Sequence, residues 1–120
     1  MPWAVADTAL PELLAVIAAS GQGSFLAVLK RFGDRPSPGW LSFPCPGVTL
    51  ALDFPNLRDR NAALFSRMDA VVRAAGGRLY PAKDAHMTPD DFRHGYPRWQ
   101  DLERLRDPLL LSRFWQRVTT

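Results

Sequence analysis

The chain has 120 residues and a mass of 13.4 kDa, which is one domain's length and enough for a single core. Hydrophobic residues make up 47% and charged residues 22%, a globular balance that excludes intrinsic disorder, and no apolar run approaches the ~20 residues of a membrane span. The formal charge is +3, but 13 Arg and two Lys alternate with Asp and Glu and no basic cluster forms, so nucleic acid is not an expected partner.

The opening residues have no basic n-region and carry Asp7 and Glu12 early. The expectation is no signal peptide and a cytoplasmic location. Residues 2–6 (PWAVA) read as a short strand. Asp7 or Thr8 is then placed to cap a helix with Pro11 in its first turn. Leu10, Leu13, Leu14, Ile17 and Ala18 give that helix an apolar face, and Ser20-Gly21 should stop it.

The run 24–33 (SFLAVLKRFG) has a strand's length between Gly23 and Gly33, although a short buried helix also fits. As a strand it puts Leu26, Val28, Lys30 and Phe32 on one face. Residues 34–47 contain four prolines and two glycines and read as a loop. The clearest strand is 48–54. Val48, Leu50, Leu52 and Phe54 should face a core, and Thr49, Ala51 and Asp53 the opposite side.

Asn56 can cap the next helix, whose apolar stripe runs from Leu57 through Leu64, Phe65, Met68, Val71 and Val72 to Ala75. Gly76-Gly77 should end it, and Arg78-Leu79-Tyr80 reads as a short strand closed by Pro81. The resulting order is βαββαβ. It predicts an α+β, ferredoxin-like domain over residues 1–81, an antiparallel sheet with both helices on one face and the other face open to bind something.

Residues 82–120 read as a helical tail. Thr88-Pro89-Asp90-Asp91 is a strong helix start, and that helix cannot pass Tyr96-Pro97. Trp99, Leu102 and Leu105 suggest another amphipathic turn or two. Leu109, Leu110, Leu111, Phe114, Trp115 and Val118 read as a very apolar last helix that self-associates or docks on a partner.

No metal motif is present: His86 and His94 read as exposed loop residues, and Cys45, the only cysteine, reads as an inert thiol between two prolines. Lys83, just past a strand end, is either a surface lysine paired with Asp84 or a cation at a ligand-reading edge.

Four stretches carry a resemblance over nearly the whole chain: SFLAVLKRFG, LSFPCPGVTLALDFP, AAGGRLYPAKDAHMTPDDFRHGYPR and the late Asp107-Pro108. The most specific pieces are PG-x-T-x-A-x-DFP and GGR-x-Y-x-AKD. Together they resemble the C-terminal substrate (cap) part of FAD-linked sugar oxidases of the vanillyl-alcohol-oxidase class. The decaprenylphosphoryl-ribose 2-oxidases and the aldonolactone (D-arabinono-1,4-lactone) oxidases belong to that class.

The resemblance implies oxidation of a sugar or lactone CH–OH group by hydride transfer to flavin. It implies FAD held by a preceding domain outside this sequence, so that FAD is not expected to be held by this chain alone. Lys83 and Lys30 are then the catalytic residues, and Tyr80 and Lys83 lie beside the cofactor. Val28, Lys30, Phe32, Thr49 and Ala51 line the substrate pocket. A fixed ammonium such as Lys83 would stabilise the negative charge that a departing hydride leaves on the flavin. The implied partners are an FAD-binding domain or subunit, a sugar-like substrate and, peripherally, a membrane. Thr49 and Ala51 stand where decaprenylphosphoryl-ribose oxidases usually carry Asn and Cys, which argues against that substrate. The other reading is a stand-alone ferredoxin-like module that binds a small molecule or partner chain without catalysis.

Overall fold

The computed structural model describes residues 1–83 and 86–120, with the backbone alone at Lys83. The chain is α+β. Helix α1 (Trp3–Ala19) leads into strand β1 (Leu26–Phe32) and strand β2 (Gly47–Asp53). Helix α2 (Asp59–Ala74), a 3₁₀ turn (Pro81–Lys83) and three short helices, α3 (Pro89–Gly95), α4 (Trp99–Glu103) and α5 (Arg113–Thr119), follow.

Among the described residues the sheet has two antiparallel strands rather than the four expected of a ferredoxin-like domain. Residues 3–6 belong to α1 instead of a first strand. Ala6, Ala9 and Leu13 are buried at helical spacing, so the apolar face of the helix extends through the segment read as extended. Pro2 also lacks the amide a longer strand would need. What remains of that strand is one residue: Met1 exchanges both backbone hydrogen bonds with Val48 (2.8 and 2.9 Å), and Pro2 bridges Gly47. Neither Asp7 nor Thr8 caps the helix; Thr8 Oγ1 donates to the Val5 carbonyl, and Pro11 lies inside the helix.

Residues 78–80 are not a strand either. The Leu79 carbonyl accepts from the Tyr96 hydroxyl at 2.7 Å, and Arg78 Nη1 donates to the Ser42 carbonyl at 3.0 Å. Side chains thus take bonds that a ladder would have used. Asn56 makes a local turn, accepting from the Arg58 amide, and leaves α2 without a side-chain cap. The far end of α2 matches expectation. Gly76 takes φ +62° and Gly77 donates to the Val72 carbonyl at 2.8 Å, closing the helix through a left-handed residue.

Two cores form. The first gathers Met1, Ala6, Ala9, Leu13, Val48 and Val71, with Leu50, Met68 and Val72 packed on it, and joins α1, α2 and one face of the sheet. The second centres on fully buried Phe92, whose ring meets Tyr96, Phe114 and Trp115 at 5.3, 5.7 and 5.6 Å between centroids. Met87 and Val118 complete it, and Leu41 and Leu79 pack against it from earlier in the chain. α3 starts as expected, with Thr88 Oγ1 accepting from the Asp91 amide.

The last helix begins at Arg113, so Leu109–Leu111 lie outside it, and Trp115 and Val118 are buried in the chain's own second core. Leu109 is 91% and Leu110 71% exposed. Arg106 holds this leucine loop: Nη1 donates to the carbonyls of Asp107, Pro108 and Leu110. Its Nε and Nη2 bond Glu103 at 2.9 and 2.8 Å. Among the described residues no helix is long and apolar enough to cross a membrane.

Phe92→Ala should cost about 3–5 kcal/mol in urea denaturation, because it removes a ring that touches three others. Leu109→Ala should stay within about 0.5 kcal/mol. Equal losses would contradict the packing. Hydrogen bonds from Arg106 and then the Trp115 indole hold the Glu103 carboxyl well below its ordinary value, at about 2. The folded value lies below the unfolded one, so this contribution is complete above about pH 4.5 and fades as pH falls toward about 2. Glu103→Gln should flatten that acid limb when urea midpoints are followed against pH.

Candidate functional site

The hairpin register decides which side chains share a surface. Lys30 lies opposite Thr49, Val28 opposite Ala51, Phe32 opposite Gly47 and Leu26 opposite Asp53. Directly opposed residues project on the same side. Val28, Lys30, Phe32, Thr49 and Ala51 therefore share one face: alternation predicted the grouping within each strand, and the register joins the two groups. The alternate positions turn the other way: Val48 and Leu50 enter the first core, and Arg31 stacks over the Trp3 ring of α1 at 4.9 Å. The helices thus cover β2 on one side of the hairpin, where Leu29 of β1 stays 54% exposed, and Lys30 and Ala51 stand exposed on the opposite face.

Ser24 closes the open end of the hairpin. Its hydroxyl accepts from the Asp53 amide and donates to the Asp53 carbonyl, each at 3.0 Å. The proline-rich connection, 33–46, returns the chain and places Phe43 beside Phe32, ring centroids 6.1 Å apart and nearly perpendicular. Phe43 also meets the Tyr80 ring at 5.0 Å. Phe32, Phe43 and Tyr80 make an aromatic row that runs from the open face to the segment before the 3₁₀ turn. Tyr80 is thereby brought to the residues with which it was grouped, through a phenylalanine that strand alternation could not reveal.

Lys83 ends the 3₁₀ turn, three residues after Tyr80. Its side chain, and the pairing with Asp84, lie outside the described residues. Behind the turn, Tyr96 is 1% exposed, and burial raises its phenol pKa well above the ordinary value. The phenol stays protonated and donates to the Leu79 carbonyl, so it is an anchor for the chain beside Tyr80.

His86 and His94 are both exposed, as expected, and His86 lies outside the helices; the loop placement fails only for His94. His94 lies on α3. His86 Nε2 lies 3.0 Å from Asp69 Oδ2, with the imidazole against the Phe65 ring at 5.0 Å between centroids. Phe65 and Asp69 sit one helical turn apart on α2, a spacing that was visible as apolar and charged positions but gave no sign of its partner. Cys45 is a free, half-buried thiol.

Among the described residues the arrangement offers the Lys30 cation and the Thr49 hydroxyl on a small-residue surface, edged by aromatic rings. It can hold a polyhydroxylated or planar ligand from one side, with Lys30 donating to an oxygen and the rings covering apolar edges.

No family model matches the chain. Over 101 residues, 81% of this chain, it is 39% identical to the decaprenylphosphoryl-β-D-ribose oxidase of Mycolicibacterium smegmatis, of which the match covers 21%. Over 100 residues, 83% of this chain, it is 38% identical to an "uncharacterized protein in mprA 5′ region" of Streptomyces coelicolor, of which the match covers 27%. The chain thus spans about a quarter of the length of the curated relatives it matches. The first similarity supports a relation between this chain and the FAD-linked oxidases that its motifs resemble.

Proposed function

We propose that this chain is the substrate-side (cap) portion of an FAD-linked oxidoreductase that oxidises a sugar or aldonolactone CH–OH group. In this reading the open sheet face covers the flavin site of an FAD-binding portion carried outside these residues. The observation that carries it is the cross-strand pairing of Lys30 with Thr49 and Val28 with Ala51 on the face turned away from the helices. The ferredoxin-like ancestry belongs to the same proposal, with the described hairpin and two flanking helices as its retained part.

The residues fit one wall of such a site. Small and β-branched side chains at Val28, Thr49 and Ala51 let a planar ring approach the sheet. The row from Phe32 to Tyr80 supplies an aromatic edge. Lys30 brings a positive charge to the open face, where it would meet a substrate oxygen. The flavin, when bound, supplies the two-electron acceptor. Lys30 orients a substrate hydroxyl and keeps its oxygen hydrogen-bonded. Lys83, by resemblance, places a second ammonium at the ring edge. The FAD-binding portion closes the site from the other side and excludes water.

The leucine loop gives that portion a second hold. Leu102, Leu109, Leu110, Leu111 and Trp115 line an open groove of about 600 Å³. The relatives are about four times longer than the matched stretch, so their remaining length is the occupant assigned to this groove. Arg106 already satisfies three of the loop carbonyls, so covering the leucines strands few polar groups.

The test is co-expression with the FAD-bearing portion from the same genome and stopped-flow reduction of its flavin by candidate sugars and lactones. Lys30→Met and Lys83→Met should each slow reduction by about 10²–10³. Chain stability should change by under about 0.5 kcal/mol. Unchanged reduction rates in both variants would contradict the reading.

A further inference from the structure

Strand β1 ends the sheet: among the described residues its one strand neighbour is β2. The hydrogen bonds show which backbone groups it turns outward. The Val48 amide and carbonyl both meet Met1, whereas those of Asp53 meet Ser24 and Phe25 on the β1 side. Backbone groups alternate in direction along an antiparallel strand, so Thr49 and Ala51 face β1 and their opposites Lys30 and Val28 face β2. Ala27, Leu29 and Arg31 therefore turn their amides and carbonyls away from β2.

An edge of this kind pairs with another strand unless the sequence blunts it. Pairing with β2 runs one to one from Leu26 to Phe32 without a bulge, and the strand contains no proline. Its apolar side chains also lack cover. Leu29 projects to the side of the helices, opposite Leu50, and is still 54% exposed, because the first core reaches β2 and stops there. Leu26, on the open face, is 52% exposed. Burial of these leucines and completion of a hydrogen-bond ladder both favour addition of a strand to β1.

The residues of β1 decide which strand fits. Antiparallel pairing of two β1 strands about a twofold axis at Leu29 sets Leu29 against Leu29 of the second copy, Ala27 against Arg31, Val28 against Lys30 and Leu26 against Phe32. Apolar residues then meet at the centre and at both ends. Lys30 and Arg31 lie in one half of the strand, so each cation opposes a small uncharged residue and no like charges sit directly opposite. Parallel pairing in register would instead set Lys30 against Lys30. Ala27, Leu29 and Arg31 are the residues whose backbone groups face outward, so this register lets each bond its opposite. With the axis normal to the sheet, the helices of both copies stay on one side and Lys30 of both copies on the other. The sheet grows from two strands to four, past the size at which a hairpin is marginal.

We propose that β1 is an interaction edge through which two copies of this chain pair antiparallel about Leu29, so that Leu26 and Val28 of the second copy join the open face beside Phe32 and Lys30. The inference does not rest on the oxidase reading. A seven-residue edge buries less than the ~1,600 Å² of a typical stable interface, so the dimer is weak and reversible.

The experiment is light scattering after sizing, with NMR amide exchange, on the 120-residue chain from about 10 μM to about 1 mM. The mass should rise from monomer toward dimer over that range. Exchange at the Ala27, Leu29 and Arg31 amides should slow at least about threefold with concentration, while the Val28 and Lys30 amides, already bonded to β2, should not change. Leu29→Pro removes an outward amide and should give a folded monomer, as proline is tolerated on an edge. Leu29→Asp, at an exposed side chain, keeps the ladder to β2, sets carboxylates against each other and should also give a monomer. A wild-type monomer throughout the range would overturn the proposal. A dimer that survives Leu29→Asp, or whose three outward amides exchange independently of concentration, would place the contact elsewhere and overturn it too. Protection of those amides only after an FAD-bearing portion is added would assign the edge to that portion and reject the second copy.

Discussion

The surface of this protein depends on the register between β1 and β2. A strand's side chains alternate, so a slip of one residue would turn Lys30 and Thr49 toward the helices and expose Val48 and Leu50. Three features hold the register. Ser24 clasps Asp53 at the open end, Met1 pairs with Val48 at the other, and the first core rewards only the arrangement with Val48 and Leu50 inside. The helices then pack on β2 from one side and leave the opposite face of the hairpin open. A two-stranded hairpin is marginal by itself, so the open face exists because α1 and α2 support the covered one.

The second core serves a different end. Phe92, Tyr96 and Trp115 are large rings that fix the short helices α3 and α5 to each other and, through Leu79, to the chain beside Tyr80. α2 ties the two halves together, with apolar residues toward α1 and the row Phe65, Asp69 and Arg73 toward the segment beyond the turn. One helix thus supports the sheet from behind and holds His86 and Asp91 beyond the turn.

Local chemistry made much of this legible in the sequence. The alternation in 48–54 announced which side of β2 enters the core, Gly76-Gly77 announced the end of α2, and Thr88-Pro89 announced the start of α3. The misread segments are those where a distant partner decides. Residues 2–6 and 78–80 have strand-like composition. The first joins a helix whose face is completed by Ala6, Ala9 and Leu13. The second gives its carbonyl to Tyr96, 17 residues away. The leucine run at 109–111 looked helical because it is apolar, but Pro108 and the Arg106 bonds to the Pro108 and Leu110 carbonyls hold it as a loop. At the site, the faces within each strand could be read from period, whereas their pairing could not. Phe43, Asp69 and Tyr96 could not, since their roles arise only when the loop and helices pack.

The central claim is that the face bearing Lys30 is open in this chain and covered by an FAD-bearing partner portion. Acylation of Lys30 by a water-soluble amine reagent, read by mass spectrometry, tests it most directly. Lys30 should react readily in the isolated chain and be protected at least about tenfold once the FAD-bearing portion is present, because burial removes the amine from reagent and solvent. Equal reactivity of Lys30 in the two states would contradict the account.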